Sequence, residues 1–331
     1  MARLLNRMGW EVRIQPFHGY GSTRRIRVMA KLLYASPTTD PDYHNQPVHD
    51  MRTMAVRGFR NFTSQIAPFA PVTITAGGRV FKVHADRSGI VDVMLEVSLE
   101  PGTAQVDITT EIGDSVTTEV TVFDPEERLG VVSDIDDTVM VTMLPRPLIA
   151  FWNAFILHQT SRQVVPGMPM LYQKIAEAHP ATPFVYLSTG AWNVYPVLRR
   201  FLYKNGYPAG PILLTDWGPT NTGFFRSGAE HKKQTLRRLA ERFPEMRWLL
   251  IGDDGQHDPQ IYGDFARAYP RHVEGVAIRR LTAREQVLAH FSFTPLEQGR
   301  LPLAPRDVPH VAAPDGHGLA DALRRVGTLP S

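Results

Sequence analysis

The stretch Leu129-Gly130-Val131-Val132-Ser133-Asp134-Ile135-Asp136-Asp137-Thr138 decides how the rest of the chain is read. Its first four residues form a short apolar run of the kind that makes a buried strand. Asp134 and Asp136 follow at the strand end, two residues apart. Left unpaired in a core, each carboxylate would cost roughly several kcal/mol. Such a pair calls for a cation, and carboxylates on a hard cation suit phosphoryl chemistry.

On the C-terminal side the apolar runs recur: Phe184-Val185-Tyr186-Leu187, Ile212-Leu213-Leu214, Trp248-Leu249-Leu250-Ile251 and Val276-Ala277-Ile278. Helical segments lie between them, and Leu236, Leu239, Ala240 and Phe243 mark one helix face. Continuous apolar strands separated by helices predict a parallel sheet covered on both sides. Ligands of such sheets sit beyond the carboxyl ends of the strands. The polar motifs fall there: Asp134 and Asp136 after the first strand, Ser188 and Thr189 after the second. Lys232 and Lys233 open a helix before the fourth strand, and Gly252-Asp253-Asp254-Gly255-Gln256-His257-Asp258 follows it.

On the N-terminal side the period is two. Ile26/Val28, Val72/Ile74, Phe81/Val83, Val91/Val93/Leu95/Val97, Val106/Ile108 and Val120/Val122 each put apolar side chains on one face. Ala76-Gly77-Gly78, Asp86-Arg87-Ser88-Gly89 and Pro101-Gly102 supply turns. This predicts a β-sandwich. Pro37 to Gln46 reads as a long surface loop, and the tail from Pro295 as mostly flexible with one short helix at Leu319 to Val326. The expected division is an N-terminal extension over 1–23, a β-sandwich domain over 24–125, a catalytic domain over 126–290 and a tail over 291–331.

The order Asp-x-Asp-x-Thr, Ser/Thr, Lys, Gly-Asp resembles the haloacid dehalogenase superfamily of phosphotransferases, whose catalytic domain is Rossmann-like. The residues support that chemistry in their own right. Asp134 can attack phosphorus and form an aspartyl-phosphate. Asp136 can protonate the leaving alkoxide and then take a proton from water. Ser188 can hydrogen-bond a phosphoryl oxygen, and Lys232, or Lys233 in its place, adds positive charge at the transferring group. Asp134, the Asp136 backbone carbonyl and Asp253 offer an oxygen shell suited to Mg²⁺. Thr138, Thr189, Arg226, Asp254, His257 and Asp258 are candidates for touching substrate or supporting these groups. A calcium loop of the EF-hand kind starting at Asp134 fails, because Val139 and Pro145 stand where glycine and an acid are needed. Gly218 to Gly223 has P-loop spacing but no lysine after it.

Longer strings carry a closer resemblance. Val132 through Thr138, Tyr186-Leu187-Ser188, His231-Lys232 and Leu250-Ile251-Gly252-Asp253 through His257-Asp258-Pro259 resemble the actin-patch-protein type of phosphatidate phosphatase, in a bacterial form. The front of the chain is similar to bacterial relatives around Arg57-Gly58-Phe59-Arg60 and Asp86-Arg87-Ser88-Gly89. Membership implies Mg²⁺-dependent removal of phosphate from phosphatidate, leaving diacylglycerol. Two departures bear on the substrate: Ser188-Thr189-Gly190-Ala191-Trp192 replaces a Ser-Asn-Ser-Pro-Trp pattern, and Gly-Asp-Asp-Gly replaces Gly-Asp-Ser-Gly. A phosphatase of soluble phosphomonoesters and a non-catalytic lipid- or protein-binding module on the same fold are the alternatives.

Composition narrows the field further. The 331 residues include no cysteine, which excludes cysteine-dependent phosphatases and disulfide frameworks. Net charge is +3 and the pI about 9.1, a modest bias toward anionic partners, with no nucleic acid expected. No signal peptide or membrane-spanning run is read, so a cytoplasmic protein is expected, with peripheral contact at the inner membrane face as an option. The segment for such contact is Leu144 to Leu157, an Arg-flanked stretch apolar on nearly all sides. It could dip into a bilayer interface, but apolarity all round favours a buried cap or core helix.

Overall fold

The computed structural model describes residues 10–35, 65–111, 114–141, 163–215, 228–255, 257–282, 285 and 307–330. The segments Pro37 to Gln46, Arg57 to Arg60 and Leu144 to Leu157, and the side chain of Arg226, lie outside them. The chain divides into two compact units, Met1–Pro125 and Glu126–Ser331.

The first unit is all β among the described residues. Its strands are β1 (Glu11–Gly21), β2 (Arg25–Ala35), β3 (Gln65–Ile66), β4 (Pro71–Ala76), β5 (Arg79–His84), β6 (Ile90–Glu96), β7 (Gly102–Thr110) and β8 (Ser115–Val122). They form one sheet in the order β3-β2-β1-β8-β7-β4-β5, with β6 also on β2. All pairings are antiparallel except β1 with β8. The period-two positions build its core: Ile26, Val28, Val72, Ile74, Val91, Leu95, Val106, Ile108, Val120 and Val122 share one apolar cluster. The sheet therefore curls around its own buried face, instead of two separate sheets stacking.

Glu11–Gly21 corrects the sequence reading. The segment expected in an N-terminal extension is a central strand, bonded to β2 on one side and β8 on the other. Its pairing with β2 shifts between Phe17 and Tyr20, a bulge that breaks the alternation, and both of its faces are largely buried. A strand without period two gives no period-two signal.

The second unit holds a six-stranded parallel sheet. Its strands are β9 (Leu129–Asp134), β12 (Phe184–Ala191), β13 (Ile212–Thr215), β14 (Arg247–Asp253), β15 (Val273–Arg279) and β16 (His310–Ala313), in the order β13-β12-β9-β14-β15-β16. Two short strands, β10 (Met140–Val141) and β11 (Gln163–Val164), pair separately just past β9. The helices are α1 (Met168–Ala178), α2 (Tyr195–Lys204), α3 (Gly228–Arg242), α4 (Asp258–Ala268) and α5 (Gly316–Arg325). β9 is buried along its whole length, as its unbroken apolar run requires of a central parallel strand. Leu236, Leu239 and Ala240 are the buried stripe of α3.

The tail is a second correction. β16 extends the sheet in register with β15, pairing Val276 with His310 and Ile278 with Ala312. α5 follows, N-capped by Asp315, which accepts from the Gly318 amide at 2.9 Å, and it buries Leu319 and Leu323. A four-residue strand made half of alanine is too short and too weak in β-propensity to read beside so many prolines. No described helix is long and apolar enough to cross a membrane.

Candidate active site

Parallel topology brings the motifs together. β9 is flanked by β12 and β14, with Leu187 beside Asp134 and Ile251 beside Ser133. The chain leaves all three strands at the same edge, so Asp134, Ser188 and Asp253 meet there although they are far apart in sequence.

Past Asp134 the backbone makes a tight loop. Val139 and Met140 donate to the Ile135 carbonyl at 3.1 and 3.3 Å, and Asp137 donates to the Met140 carbonyl at 2.8 Å. Asp137 adopts φ +58°, a left-handed conformation uncommon outside glycine but tolerated by aspartate. The whole segment from Ser133 to Met140 is buried.

Asp134 is 2% exposed and its Oδ1 accepts from Lys232 Nζ at 2.5 Å. The same ammonium donates to Asp258 Oδ1 at 2.6 Å. Lys232 is buried in this cluster whereas Lys233 is exposed. Thr138 Oγ1 lies 3.4 Å from both Asp134 Oδ2 and Asp253 Oδ2. Burial pushes the Asp134 carboxyl up to about 7; Lys232 opposes the shift, while Asp258 and Asp136 add to it. The two carboxylates hold the Lys232 ammonium above its ordinary range despite burial.

Asp136 faces the other neighbour strand. Its Oδ2 accepts from Ser188 Oγ at 2.9 Å, and Ser188 Oγ in turn accepts from the Gly190 amide at 3.0 Å. Asp253 is anchored by the Gly255 amide, which donates to its Oδ1 at 2.7 Å.

The carboxylates of Asp134, Asp253 and Asp258 offer oxygens that all lie within 4.8 Å of one another. Asp258 joins the expected Asp134 and Asp253 through its side chain, while the Asp136 carboxylate is turned to Ser188, which leaves its backbone carbonyl as the group expected to face a cation. The Lys232 ammonium bridges two of these three buried carboxylates, and the buried Oδ2 of Asp258 has no hydrogen-bond partner. Clustered buried carboxylate oxygens and an orphaned acceptor fit a hard divalent cation. Gly252 makes room for this arrangement, since a Cβ there would stand 2.6 Å from Asp258 Oδ2.

The remaining candidates fall outside this cluster. Asp254 accepts from the Leu281 amide at 2.8 Å and so fastens a loop; burial raises its carboxyl above the ordinary range. The Thr189 carbonyl accepts from Thr215 Oγ1 at 2.7 Å, and its side chain packs where α3 begins at Gly228. His257 is exposed at the N-cap of α4. Tyr172 was not anticipated. Its hydroxyl bonds to Ser133 Oγ, which donates to the Asp134 carbonyl at 2.7 Å, and its ring stacks on Tyr186 with an edge toward Tyr207. In sequence Tyr172 is only one more apolar position on a helix.

Residues 129–280 match the family of phosphatidate phosphatase APP1 catalytic domains. Phosphatidate phosphatase APP1 of Saccharomyces cerevisiae is 27% identical over 152 residues, which cover 46% of this chain and 26% of that protein. An uncharacterised protein of Schizosaccharomyces pombe is 26% identical over 162 residues, 49% of this chain and 26% of its own length. This chain thus aligns with about a quarter of each curated relative. Among solved structures, the HAD domain of effector protein Lem4 from Legionella pneumophila covers 46% of this chain and 86% of its own at 16% identity, with a TM-score of 0.31, too low to carry an argument. Motif order, strand-end placement and sequence agree over the same residues, and it is to the APP1 phosphatidate phosphatase catalytic domains that the segment 129–280 is similar.

Proposed function

We propose that this chain is a Mg²⁺-dependent phosphatase that hydrolyses phosphatidate to diacylglycerol and phosphate through a phospho-Asp134 intermediate. The observation that carries the proposal is the buried Asp134–Lys232–Asp258 chain beside the Asp136–Ser188 pair, all at one sheet edge. Structural ion pairs are common, but a lysine bridging two buried carboxylates beside further buried acids is a poor way to gain stability alone. The six-stranded parallel sheet with the acids at its strand ends supports a Rossmann-like fold of the haloacid dehalogenase superfamily.

The chain's own residues divide the work. Lys232 holds Asp134 by one oxygen, orienting the carboxylate for in-line attack on phosphorus. As the Asp134 O–P bond forms and the ester P–O bond breaks, Asp136 gives its proton to the departing alkoxide. Asp136 then takes a proton from the water that attacks phospho-Asp134, releasing phosphate and restoring the free carboxylate. Ser188 fixes the Asp136 carboxyl through its 2.9 Å bond, and Lys232 offsets charge on the equatorial oxygens. Asp134, Asp253 and Asp258 would hold Mg²⁺, which when bound supplies charge neutralisation at the phosphoryl group.

The test is phosphate release from phosphatidate in mixed micelles, with and without Mg²⁺, beside soluble phosphomonoesters and with Asp134→Asn as control. Mg²⁺-dependent release from the lipid, lost in the variant, is expected. Release from soluble esters alone would keep the mechanism and remove the lipid assignment. Phosphate binding without turnover would overturn the enzyme reading.

A further inference from the structure

The end of β15 has no part in the motifs above, yet it reaches both catalytic loops. Arg279, the last residue of that strand, is 4% exposed. A guanidinium this deeply buried is costly unless its donors meet fixed acceptors. All three of its nitrogens do. Nη1 donates to the Asp137 carbonyl at 2.7 Å, Nη2 to Glu285 Oε1 at 2.6 Å and Nε to the Pro314 carbonyl at 3.3 Å.

The Asp137 carbonyl is the telling acceptor. Asp137 sits between Asp136 and Thr138 and holds the left-handed φ of +58° that turns the loop. Such a conformation persists only where surrounding contacts over-determine it. Tyr207 provides a second hold, its hydroxyl donating to the Val139 carbonyl at 2.9 Å. The residues just past Arg279 fasten the acid loop in the same way. The Leu281 amide donates to Asp254 Oδ1 at 2.8 Å, and the Asp254 amide to the Arg279 carbonyl at 3.0 Å. Glu285 is fixed in turn by the Thr282 amide at 2.8 Å.

We infer that Arg279, locked by Glu285, is a positioning residue that fixes the Asp134–Thr138 loop relative to the Gly252–Gly255 loop; the catalytic consequence rests on the phosphatase reading above. One residue joins the two halves of the site, its guanidinium at the Asp137 carbonyl and its backbone carbonyl at the Asp254 amide, so removing the guanidinium frees the first loop from the strand end that holds the second. In-line transfer tolerates little misplacement of the nucleophile against its acid and its charge partners. Lysine cannot replace it fully, because three acceptors in three directions need the planar fork.

The experiment compares Arg279→Ala, Arg279→Lys and Glu285→Ala with the wild type in the full chain. Amide exchange across 135–140 is followed by mass spectrometry, and kcat and KM are measured on p-nitrophenyl phosphate with Mg²⁺. Arg279→Ala is expected to speed exchange in 135–140 by about 10-fold or more while β12 stays protected. It should lower kcat by about 10- to 100-fold with KM changed less than about 3-fold. Arg279→Lys should recover part of both effects, and Glu285→Ala should be milder because the Asp137 bond survives. Unchanged exchange in 135–140 overturns the inference. So does loss of protection spread over the whole sheet with kcat falling only as the folded fraction falls. Should Arg279→Ala not fold, the other two variants decide by the same readouts. A wild type inactive on p-nitrophenyl phosphate moves the kinetics to phosphatidate in mixed micelles; one inactive on both would sink the phosphatase reading, and the exchange data would still decide whether Arg279 holds the loop.

Discussion

Replacing Lys232 with methionine isolates the electrostatics of the site. The side chain is 3% exposed and its ammonium touches Asp134 and Asp258 at 2.5 and 2.6 Å. Methionine keeps much of the stem and volume, so little of the effect is a cavity. With the lysine present, burial already lifts the Asp134 carboxyl to about 7, and Lys232 is the largest influence holding it down. Without the lysine the folded protein must carry Asp134 protonated. Keeping a buried aspartate of unfolded pKa ~3.9 protonated costs about 4 kcal/mol at pH 7 but only about 1.5 kcal/mol at pH 5; the wild type already bears most of that for Asp134, so the added penalty falls on Asp258, which loses the same cation. The sign follows: a carboxyl raised in the folded state favours folding below its unfolded pKa, and that advantage is lost as pH climbs toward the folded value. Metal-free Lys232→Met should therefore lose about 3–5 kcal/mol at pH 7, by urea midpoint, and markedly less at pH 5. Lys233→Met, at the exposed neighbour, should lose under about 0.5 kcal/mol. Mg²⁺-dependent phosphate release by Lys232→Met should drop at least about 100-fold. A penalty under about 1 kcal/mol, or one flat with pH, would refute the reasoning.

Other outcomes follow from the same geometry. Mg²⁺ needs Asp134 ionised, so its apparent affinity should rise up to about tenfold per pH unit below about 7 and level off above, read by titration calorimetry; affinity constant from pH 5.5 to 7 would contradict this. Tyr172→Phe removes the hydroxyl bonded to Ser133 and should cost about 0.5–1.5 kcal/mol in stability with kcat down only a few-fold. A fall beyond about 100-fold would give Tyr172 a chemical part. Deleting 307–331 strips β16 and α5, including fully buried Leu319 and Leu323, and should cost on the order of 5 kcal/mol. A truncated chain melting like the wild type would show those elements to be dispensable.

What could be read from the sequence follows from which physical signals are local. β9 and β14 declare themselves because a central parallel strand is apolar on both faces and ends in the polar residues of the site. Asp134, Ser188, Lys232 and Asp253 could be gathered without coordinates, since parallel topology sends every strand's C-terminal end to one edge. β1 stayed hidden because its bulge resets the alternation, and β16 because four residues carry too little pattern. Asp258 entered only as a supporting candidate. Its approach depends on where the loop after Asp253 returns as the first turn of α4, a distance no spacing rule contains. Arg279 reads in sequence as a charge flanking a strand, and only the register of β15 shows it reaching Asp137.

The deeper difficulty for sequence reading is that Asp134 and Asp136 are the same residue type two positions apart, yet their surroundings differ. In a continuing strand they would share a face. β9 stops at Asp134, and the chain then turns through the left-handed Asp137, so the two carboxylates part company. Asp134 is met by Lys232 from α3 and shares a cluster with Asp253 and Asp258 on the β14 side. Asp136 is met by Ser188 on β12. The site is split along β9: charge is gathered on the β14 side, and a hydroxyl-supported carboxyl stands on the β12 side. That partition supports the proposed assignment of nucleophile to Asp134 and proton carrier to Asp136. It also explains why the loop between them must be held rigid, since a shift at Asp137 would disturb both environments together.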